Sequence, residues 1–155
     1  MLKRHQLCPG FSLTDLSGQQ VDLWNFRQKK NVVLLFVQNG PESFLRSVIP
    51  SIVNNYLALQ RLDTEFLLIL SGHLDACSAR IEKMHLPFPV LLDIEFRAWP
   101  AYLESEAPRE SGFGLFVLDR YGELWAQWHG SSRADFPALA ELLEWLQWIE
   151  EQCPE

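Results

Sequence analysis

The stretch that decides the fold lies at residues 32–46, which read Val-Val-Leu-Leu-Phe-Val-Gln-Asn-Gly-Pro-Glu-Ser-Phe-Leu-Arg. The run at residues 32–37 is entirely apolar, which predicts a strand buried on both faces, as in the centre of a parallel sheet. The run ends in a polar turn, and a helix is expected to begin at Glu42. The positive end of that helix would stabilise an anionic group at this junction, yet the stretch contains no cysteine that could form a thiolate.

Hydrophobic periodicity predicts the remaining elements on both sides of this stretch. Residues 11–14 and 19–22 flank a turn that contains Gly18 and predict an N-terminal β-hairpin. Apolar residues recur at helical spacing over residues 42–62, where Pro50 is expected to kink the helix. The later elements are predicted as strands at residues 66–70, 86–93, 113–119 and 123–129, and as helices at residues 74–84, 95–103 and 136–149.

The order of these elements predicts the fold class. Strands and helices alternate in the first half of the chain, which indicates parallel crossovers, and the chain closes with a β-hairpin and a helix. This is an α/β arrangement of the thioredoxin-like type, a central mixed sheet flanked by helices with an N-terminal β-hairpin. A chain of 155 residues suits a single domain that spans residues 1–155.

Composition limits the functions that the chain can have. Its 13 Lys and Arg against 20 Asp and Glu give a net charge of −7, which repels nucleic acid and anionic lipid. The apolar runs are far shorter than a membrane span and no secretory signal is recognised, so a cytoplasmic location is expected. The 3 cysteines are widely spaced and form neither a disulfide framework nor a zinc motif, and we predict neither a metal nor a cofactor.

Several blocks of the sequence occur in the same order as in one protein family. The opening block is residues 8–23, and it is followed by residues 31–36, by residues 65–71 with 86–93, and by residues 115–122. Together they resemble the peroxiredoxin family, the alkyl hydroperoxide reductase and thiol-specific antioxidant group, over nearly the whole chain. The resemblance implies a thioredoxin-like fold and reduction of peroxides by a cysteine at the first turn of the kinked helix. In the family that cysteine belongs to a Pro-x-x-x-Thr-x-x-Cys motif and is assisted by a distant arginine.

The residues at the family's active-site positions depart from this motif. An ungapped placement from the strand puts Gln38, Glu42 and Leu45 where the motif has Pro, Thr and Cys, and the arginine would fall near Phe113. A leucine cannot act as a nucleophile towards an O–O bond. We interpret Glu42 as a charge that favours the start of the helix and not as a catalytic group. These departures from the motif therefore predict no catalytic residue at these four positions.

Cys8 and Cys77 are the candidates for a relocated thiol. Cys8 precedes the first strand and is expected to be partly exposed, so that it could be oxidised or form an intermolecular disulfide. Cys77 shares a predicted helix face with apolar residues and is interpreted as a packing residue, although His73 one turn earlier could pair with it. Cys153 lies in an acidic tail whose negative charge disfavours a thiolate.

The chain is rich in tryptophan, with 6 such residues. Trp145 and Trp148 lie off the apolar stripe of the last predicted helix, and Trp125 and Trp128 are expected on opposite faces of the last strand. Aromatic patches of this kind mark interfaces, which predicts a homodimer or another protein partner. Alternatively, loops or the N-terminal segment of the same subunit cover these rings.

Three functional hypotheses follow. The first is a peroxiredoxin-like protein without a peroxidase site, which acts as a non-catalytic binding or regulatory protein. The second is an antioxidant thiol oxidoreductase or peroxidase that uses Cys8 or Cys77, with a peroxide or a thiol as its substrate. The third is a ligand-binding module in which Phe44, Leu45 and Phe113 line an apolar cleft. The response of the cysteines to peroxide separates the second hypothesis from the other two.

Overall fold

The elements that the structure describes follow the predicted order. A computed structural model describes residues 2–38, 42–72, 81, 83–95, 97–103 and 112–152. The strands are β1 (Ser12–Asp15), β2 (Gln20–Asp22), β3 (Asn31–Gln38), β4 (Thr64–Ser71), β5 (Val90–Asp93), β6 (Gly112–Leu118) and β7 (Leu124–Gly130). The helices are α1 (Glu42–Asn54), α2 (Tyr56–Arg61), α3 (Ala98–Leu103) and α4 (Leu139–Gln152), with short 3-10 helices at Leu23–Phe26 and Arg133–Asp135.

The strands of the described residues form one mixed sheet in the order β2-β1-β5-β4-β3-β6-β7. Strand β3 pairs in parallel with β4, and β4 pairs in parallel with β5. Strand β6 runs antiparallel to both β3 and β7, and the hairpin of β1 and β2 joins the other side of the sheet through β5. The predicted α/β class, the mixed sheet and the N-terminal β-hairpin are therefore confirmed.

Strand β3 is buried on both faces, as the unbroken apolar run predicts, and it divides the core in two. Val33, Leu35 and Val37 face the cluster that contains the buried residues of α1 and α4. The residues between them face a second cluster, where α3 contributes Trp99 and Tyr102. Helices thus cover both faces of the sheet, and the end of β3 leads directly towards α1.

The prediction of one kinked helix over residues 42–62 is wrong, because the helix is interrupted at Asn55 and forms two separate helices. The side-chain amide of Asn55 donates to the carbonyl of Ser51 at 2.9 Å, which is the acceptor that its backbone N–H would use in a continuous helix. The backbone N–H of Asn55 instead donates to Ile52 at 3.1 Å. Pro50 lies inside α1. The break therefore coincides with competition for a carbonyl by the Asn55 side chain.

The prediction that Trp125 and Trp128 lie on opposite faces of β7 is wrong. The ladder between β6 and β7 has an irregularity: Val117 pairs with Ala126 and Leu118 pairs with Leu124, which leaves Trp125 as an extra residue. An extra residue shifts the alternation of side chains by one position. Trp125 is therefore buried and Trp128 is partly buried against the same core cluster.

The N-terminal segment continues the sheet beyond β7. The N–H of His5 donates to the carbonyl of Leu124 at 2.6 Å, the N–H of Leu124 donates to Gln6 at 2.9 Å, and the N–H of Cys8 donates to Gly122 at 2.8 Å.

Of the helix predicted at residues 74–84, only residues 81, 83 and 84 are described. Within the described residues, every helix is too short or too polar to cross a bilayer.

Candidate functional site

The positions singled out by the motif lie at one end of the sheet, where β3 leads into α1. Gln38 is the last residue of β3 and pairs with Ser71 of β4 and Gly112 of β6, so three neighbouring strands begin or end at this end of the sheet. Gln38 is buried. Helix α1 begins at Glu42, as predicted, while the side chain of Glu42 lies outside the described residues.

A cluster of three phenylalanines occupies this end of the sheet, and we call it the phenylalanine cluster: Phe44 of α1, Phe113 of β6 and Phe136 before α4. The rings of Phe44 and Phe113 are stacked, with centroids 4.9 Å apart and planes at 15°. Phe136 lies 5.7 Å from the Phe44 ring and 5.4 Å from the Phe113 ring. All three side chains are buried. Offset and edge-to-face contacts of this kind add stability beyond the burial of apolar area.

The structure brings Leu45 and Phe113 into the same part of the core. Leu45 is 6% exposed and belongs to the core cluster that holds the three phenylalanines. A guanidinium does lie nearby, since Arg133 sits over the outer ring of Phe136 with its Cζ 5.4 Å from the ring centroid. At these positions hydrocarbon therefore fills the space, and a hydrocarbon side chain can neither attack a peroxide nor hold a proton for transfer.

The sequence pattern places Phe136 on the apolar stripe of the last predicted helix. It does not predict that Phe136 belongs to the phenylalanine cluster. It lies immediately after the 3-10 helix Arg133–Asp135, in an extended conformation. The carboxylate of Asp135 accepts hydrogen bonds from Ser131 and Ser132 within this turn. A turn of this geometry cannot be read from periodicity, and it is the turn that directs Phe136 towards Phe44.

The expectation that Cys8 is partly exposed is wrong. Cys8 is 1% exposed because the residues around it bond to the turn between β6 and β7, which carries the thiol into the core beneath α3. Burial, with a smaller contribution from the Asp119 carboxylate, raises the pKa of the Cys8 thiol from 9.0 to about 12. A thiol with such a pKa is almost entirely protonated at neutral pH, and it is the thiolate that reacts with peroxides and disulfides.

The other cysteine predictions fall outside the described residues. Cys77, with its possible partner His73, and Cys153 all lie there. Within the part of the chain that is described, no three metal-ligating side chains (His, Cys, Asp or Glu) come together in a group that could hold a metal ion.

A cavity of about 280 Å³ lies away from the phenylalanine cluster. It opens between the turn after β1 and the segment that leads into β5. Its lining includes Asp15, Ser17, His85 and Phe88 but none of the three clustered phenylalanines. The third hypothesis placed an apolar cleft at Phe44, Leu45 and Phe113, and these side chains are instead packed against each other.

The tryptophan positions form a second candidate site. The rings of Trp125, Trp145 and Trp148 meet where β7 packs against α4, with the Trp148 centroid 5.3 Å from each of the other two rings. Trp148 is 40% exposed. Arg4 of the N-terminal segment lies over these rings, so the predicted cover from the same subunit is partly present. The role of Arg4 was missed because nothing in the sequence pairs residue 4 with residue 148.

The comparisons with known proteins agree with this fold. The chain is similar to the peroxidoxin BcpB of Mycobacterium tuberculosis (TM-score 0.79, 17% identity, covering 96% of this chain and 99% of that chain). It is also similar to the mitochondrial 2-Cys peroxiredoxin of Plasmodium falciparum (TM-score 0.76, 20% identity, 99% and 98% covered). A putative thioredoxin of Neisseria meningitidis matches with a TM-score of 0.74 at 17% identity, with 96% and 93% covered. These likenesses establish the thioredoxin-like fold. Among curated proteins, none matches the chain in sequence.

Family membership comes from the sequence itself. The model of the AhpC/TSA family matches residues 5–124, which is well over half of the chain. The match covers the strand β3, the start of α1 and Phe113, so it includes the positions described above. This family match supports a function related to thiol redox chemistry. The chain belongs to the AhpC/TSA family.

Proposed function

We propose that this chain is a non-catalytic member of its family, a peroxiredoxin-like protein that acts by binding a protein partner. The observation that carries the proposal is the phenylalanine cluster, with Phe44 stacked on Phe113 at 4.9 Å beside the buried Leu45. At the two positions that correspond to the family's cysteine and arginine, Leu45 and Phe113 offer a peroxide neither a nucleophile nor a charge that could orient it.

Cys8 does not supply the missing chemistry. Its thiol is buried, and the pKa of about 12 leaves little thiolate at neutral pH. Asp119 adds negative charge near the sulfur, which disfavours both a thiolate and the approach of a peroxide anion. The alternative function, an antioxidant thiol peroxidase with a relocated cysteine, then depends on Cys77.

The test is the rate at which peroxide oxidises the reduced chain. The protein is mixed with excess hydrogen peroxide, the remaining thiols are alkylated at set times, and the intact mass counts how many of the 3 cysteines were oxidised. We expect no thiol to react faster than free cysteine in the same buffer. Rapid oxidation that Cys77→Ser or Cys8→Ser abolishes would contradict the proposal and assign a peroxidase function.

A second variant tests whether the chain lacks only the thiol or also the surroundings that would activate a thiol. Leu45→Cys returns a sulfur to the motif position, but the side chain at that position is only 6% exposed and lies in the core. Because burial disfavours a thiolate, we expect this variant to consume peroxide no faster than the parent chain. Rapid oxidation of the Leu45→Cys thiol by peroxide would mean that the surroundings still activate a thiol, and the phenylalanine cluster would then not explain inactivity.

A further inference from the structure

The three tryptophans described above are arranged around one cationic side chain. We call Trp125, Trp145 and Trp148 the tryptophan surface. The rings of Trp125 and Trp148 stand at 82° and those of Trp145 and Trp148 at 47°, so the three planes enclose a corner and do not lie flat. Aromatic faces carry negative electrostatic potential, and several faces turned towards one point attract a cation more strongly than a single ring does.

Arg4 already occupies this corner. Its guanidinium carbon lies 5.2 Å from the centroid of Trp145, 5.2 Å from that of Trp148 and 5.9 Å from that of Trp125. These distances fall within the range of cation–π contacts. The side chain of Arg4 is nevertheless exposed, and it comes from a turn at the edge of the structure. The surface is therefore in contact with a guanidinium that the same chain supplies.

Acidic side chains lie near the two tryptophans of α4 along the helix. Glu144 and Glu151 stand one helical turn before and after Trp148, and Glu141 stands one turn before Trp145. All three glutamates are exposed. Exposed aromatic area next to carboxylates on the same helix is complementary to a positively charged partner, both during the approach and in the bound state.

We propose that the tryptophan surface binds an arginine side chain in a basic segment of a protein partner, and that Arg4 holds this place in the unbound chain. The proposal rests on the binding function proposed above and names the chemistry of its partner. A second copy of the chain is a poorer occupant, because a two-fold contact through this face would bring the glutamates of both copies together.

The experiment is a titration of the full chain with a labelled hexa-arginine peptide at 0.15 M salt, followed by fluorescence anisotropy. We expect Trp148→Ala to weaken binding by about fivefold, because a cation–π contact at an exposed site is lost. Gln147→Ala is the matched control, since it changes an exposed neighbour on the same helix without changing the net charge. It should bind as the parent does.

Arg4→Ala tests whether Arg4 competes with the peptide. Removing the internal guanidinium should tighten binding by about threefold. Lys3→Ala removes a charge from the same turn without a contact to the rings, and it should change affinity less than Arg4→Ala does. A hexa-lysine peptide of equal charge should bind more weakly than hexa-arginine, because the planar guanidinium stacks on aromatic faces.

Three results would overturn the proposal. Equal affinities for Trp148→Ala and Gln147→Ala would mean that net charge alone attracts the peptide. Equal affinities of Arg4→Ala and Lys3→Ala for the peptide would mean that Arg4 does not compete with the peptide for the tryptophan surface. Absence of peptide binding together with a dimer that Trp148→Ala dissociates would assign the surface to a second copy. None of these results bears on peroxide oxidation, so the proposed lack of peroxidase activity stands or fails separately.

Discussion

Phe113 occupies a position where a charged side chain would be costly. It is 3% exposed, its ring is stacked on Phe44, and its neighbours in the cluster are hydrocarbon. An arginine at this position would place a guanidinium among the buried rings of Phe44 and Phe136. Its backbone pairs with Val37 and Gly130, so the side chain cannot turn to the other face without a shift in register.

Phe113→Arg should therefore destabilise the fold and not restore chemistry. We expect the free energy of unfolding to fall by about 3 to 5 kcal/mol, as for an uncompensated buried charge. Phe113→Leu keeps an apolar side chain and should cost about 1 kcal/mol. Urea unfolding followed by tryptophan fluorescence measures both. If the two variants were equally stable, the cluster would have room and solvent for a charge, contrary to its packing.

Cys8 makes stability depend on pH in the alkaline range. Burial raises the pKa of its thiol from 9.0 to about 12, so the folded chain holds the proton more tightly than the unfolded chain does. This contribution is fully present below pH 9 and is lost as the pH rises from 9 towards 12. Burial also raises the pKa of Tyr102. Because Tyr102 is present both in the parent chain and in a Cys8→Ala variant, a comparison of the two proteins reports on Cys8.

Cys8→Ala should remove this part of the pH dependence. Between pH 8 and pH 10.5 the parent chain should lose about 2 kcal/mol more stability than the variant, at about 1.4 kcal/mol per pH unit above pH 9. Urea unfolding at both pH values, with the thiols kept reduced, gives the difference. Parallel losses in the two proteins would show that the Cys8 thiol is not buried in solution.

At the scale of elements, α4 is held to the sheet by a polar contact as well as by its apolar stripe. The carboxylate of Glu150 accepts a hydrogen bond from the Arg120 guanidinium at 2.6 Å and another from the side-chain amide of Asn31 at 2.7 Å. The side chain of Arg120 is 10% exposed, and the Glu150 carboxylate raises the pKa of its guanidinium. One carboxylate thus joins the last turn of α4, the start of β3 and the turn before β7.

Glu150→Ala should cost about 2 to 3 kcal/mol of unfolding free energy, because it leaves the nearly buried Arg120 without its carboxylate. Glu151→Ala is the matched control, since it makes the same change one residue later at an exposed site. It should lie within about 0.5 kcal/mol of the parent. Equal effects of the two changes would attribute the loss to helix propensity and not to the buried contact.

Elements follow from sequence where one physical effect dominates. The apolar run of β3, the hairpin of β1 and β2 and the stripe of α4 are set by burial, and periodicity located them. The break at Asn55 depends on competition between side-chain and backbone donors for one carbonyl, and the extra residue at Trp125 depends on a local shift in strand register. The pattern of apolar residues predicts neither. The candidate site was located through β3, whereas its filling by Phe136 required the turn at residues 133–135.

At the scale of the whole molecule, the sheet has two edges that must be protected from pairing with other chains. The edge at β2 is only 3 residues long. The edge at β7 is covered near Leu124 by the N-terminal segment, through backbone hydrogen bonds of His5 and Gln6 and a bridge between Leu7 and Glu123. Leu2 is buried beyond this pairing, and its carbonyl accepts a hydrogen bond from the Gln127 side chain.

Deletion of residues 2–7 should therefore change both stability and association. Loss of the backbone pairing and of the buried Leu2 should cost about 3 kcal/mol, and the uncovered edge of β7 should promote assembly. Leu7→Ala serves as the control, because Leu7 is 49% exposed and its replacement keeps the backbone pairing. Urea unfolding and light scattering measure the two effects. A shortened chain as stable and as monodisperse as Leu7→Ala would mean that the segment adds only Arg4 to the tryptophan surface, and that the edge of β7 needs no cover.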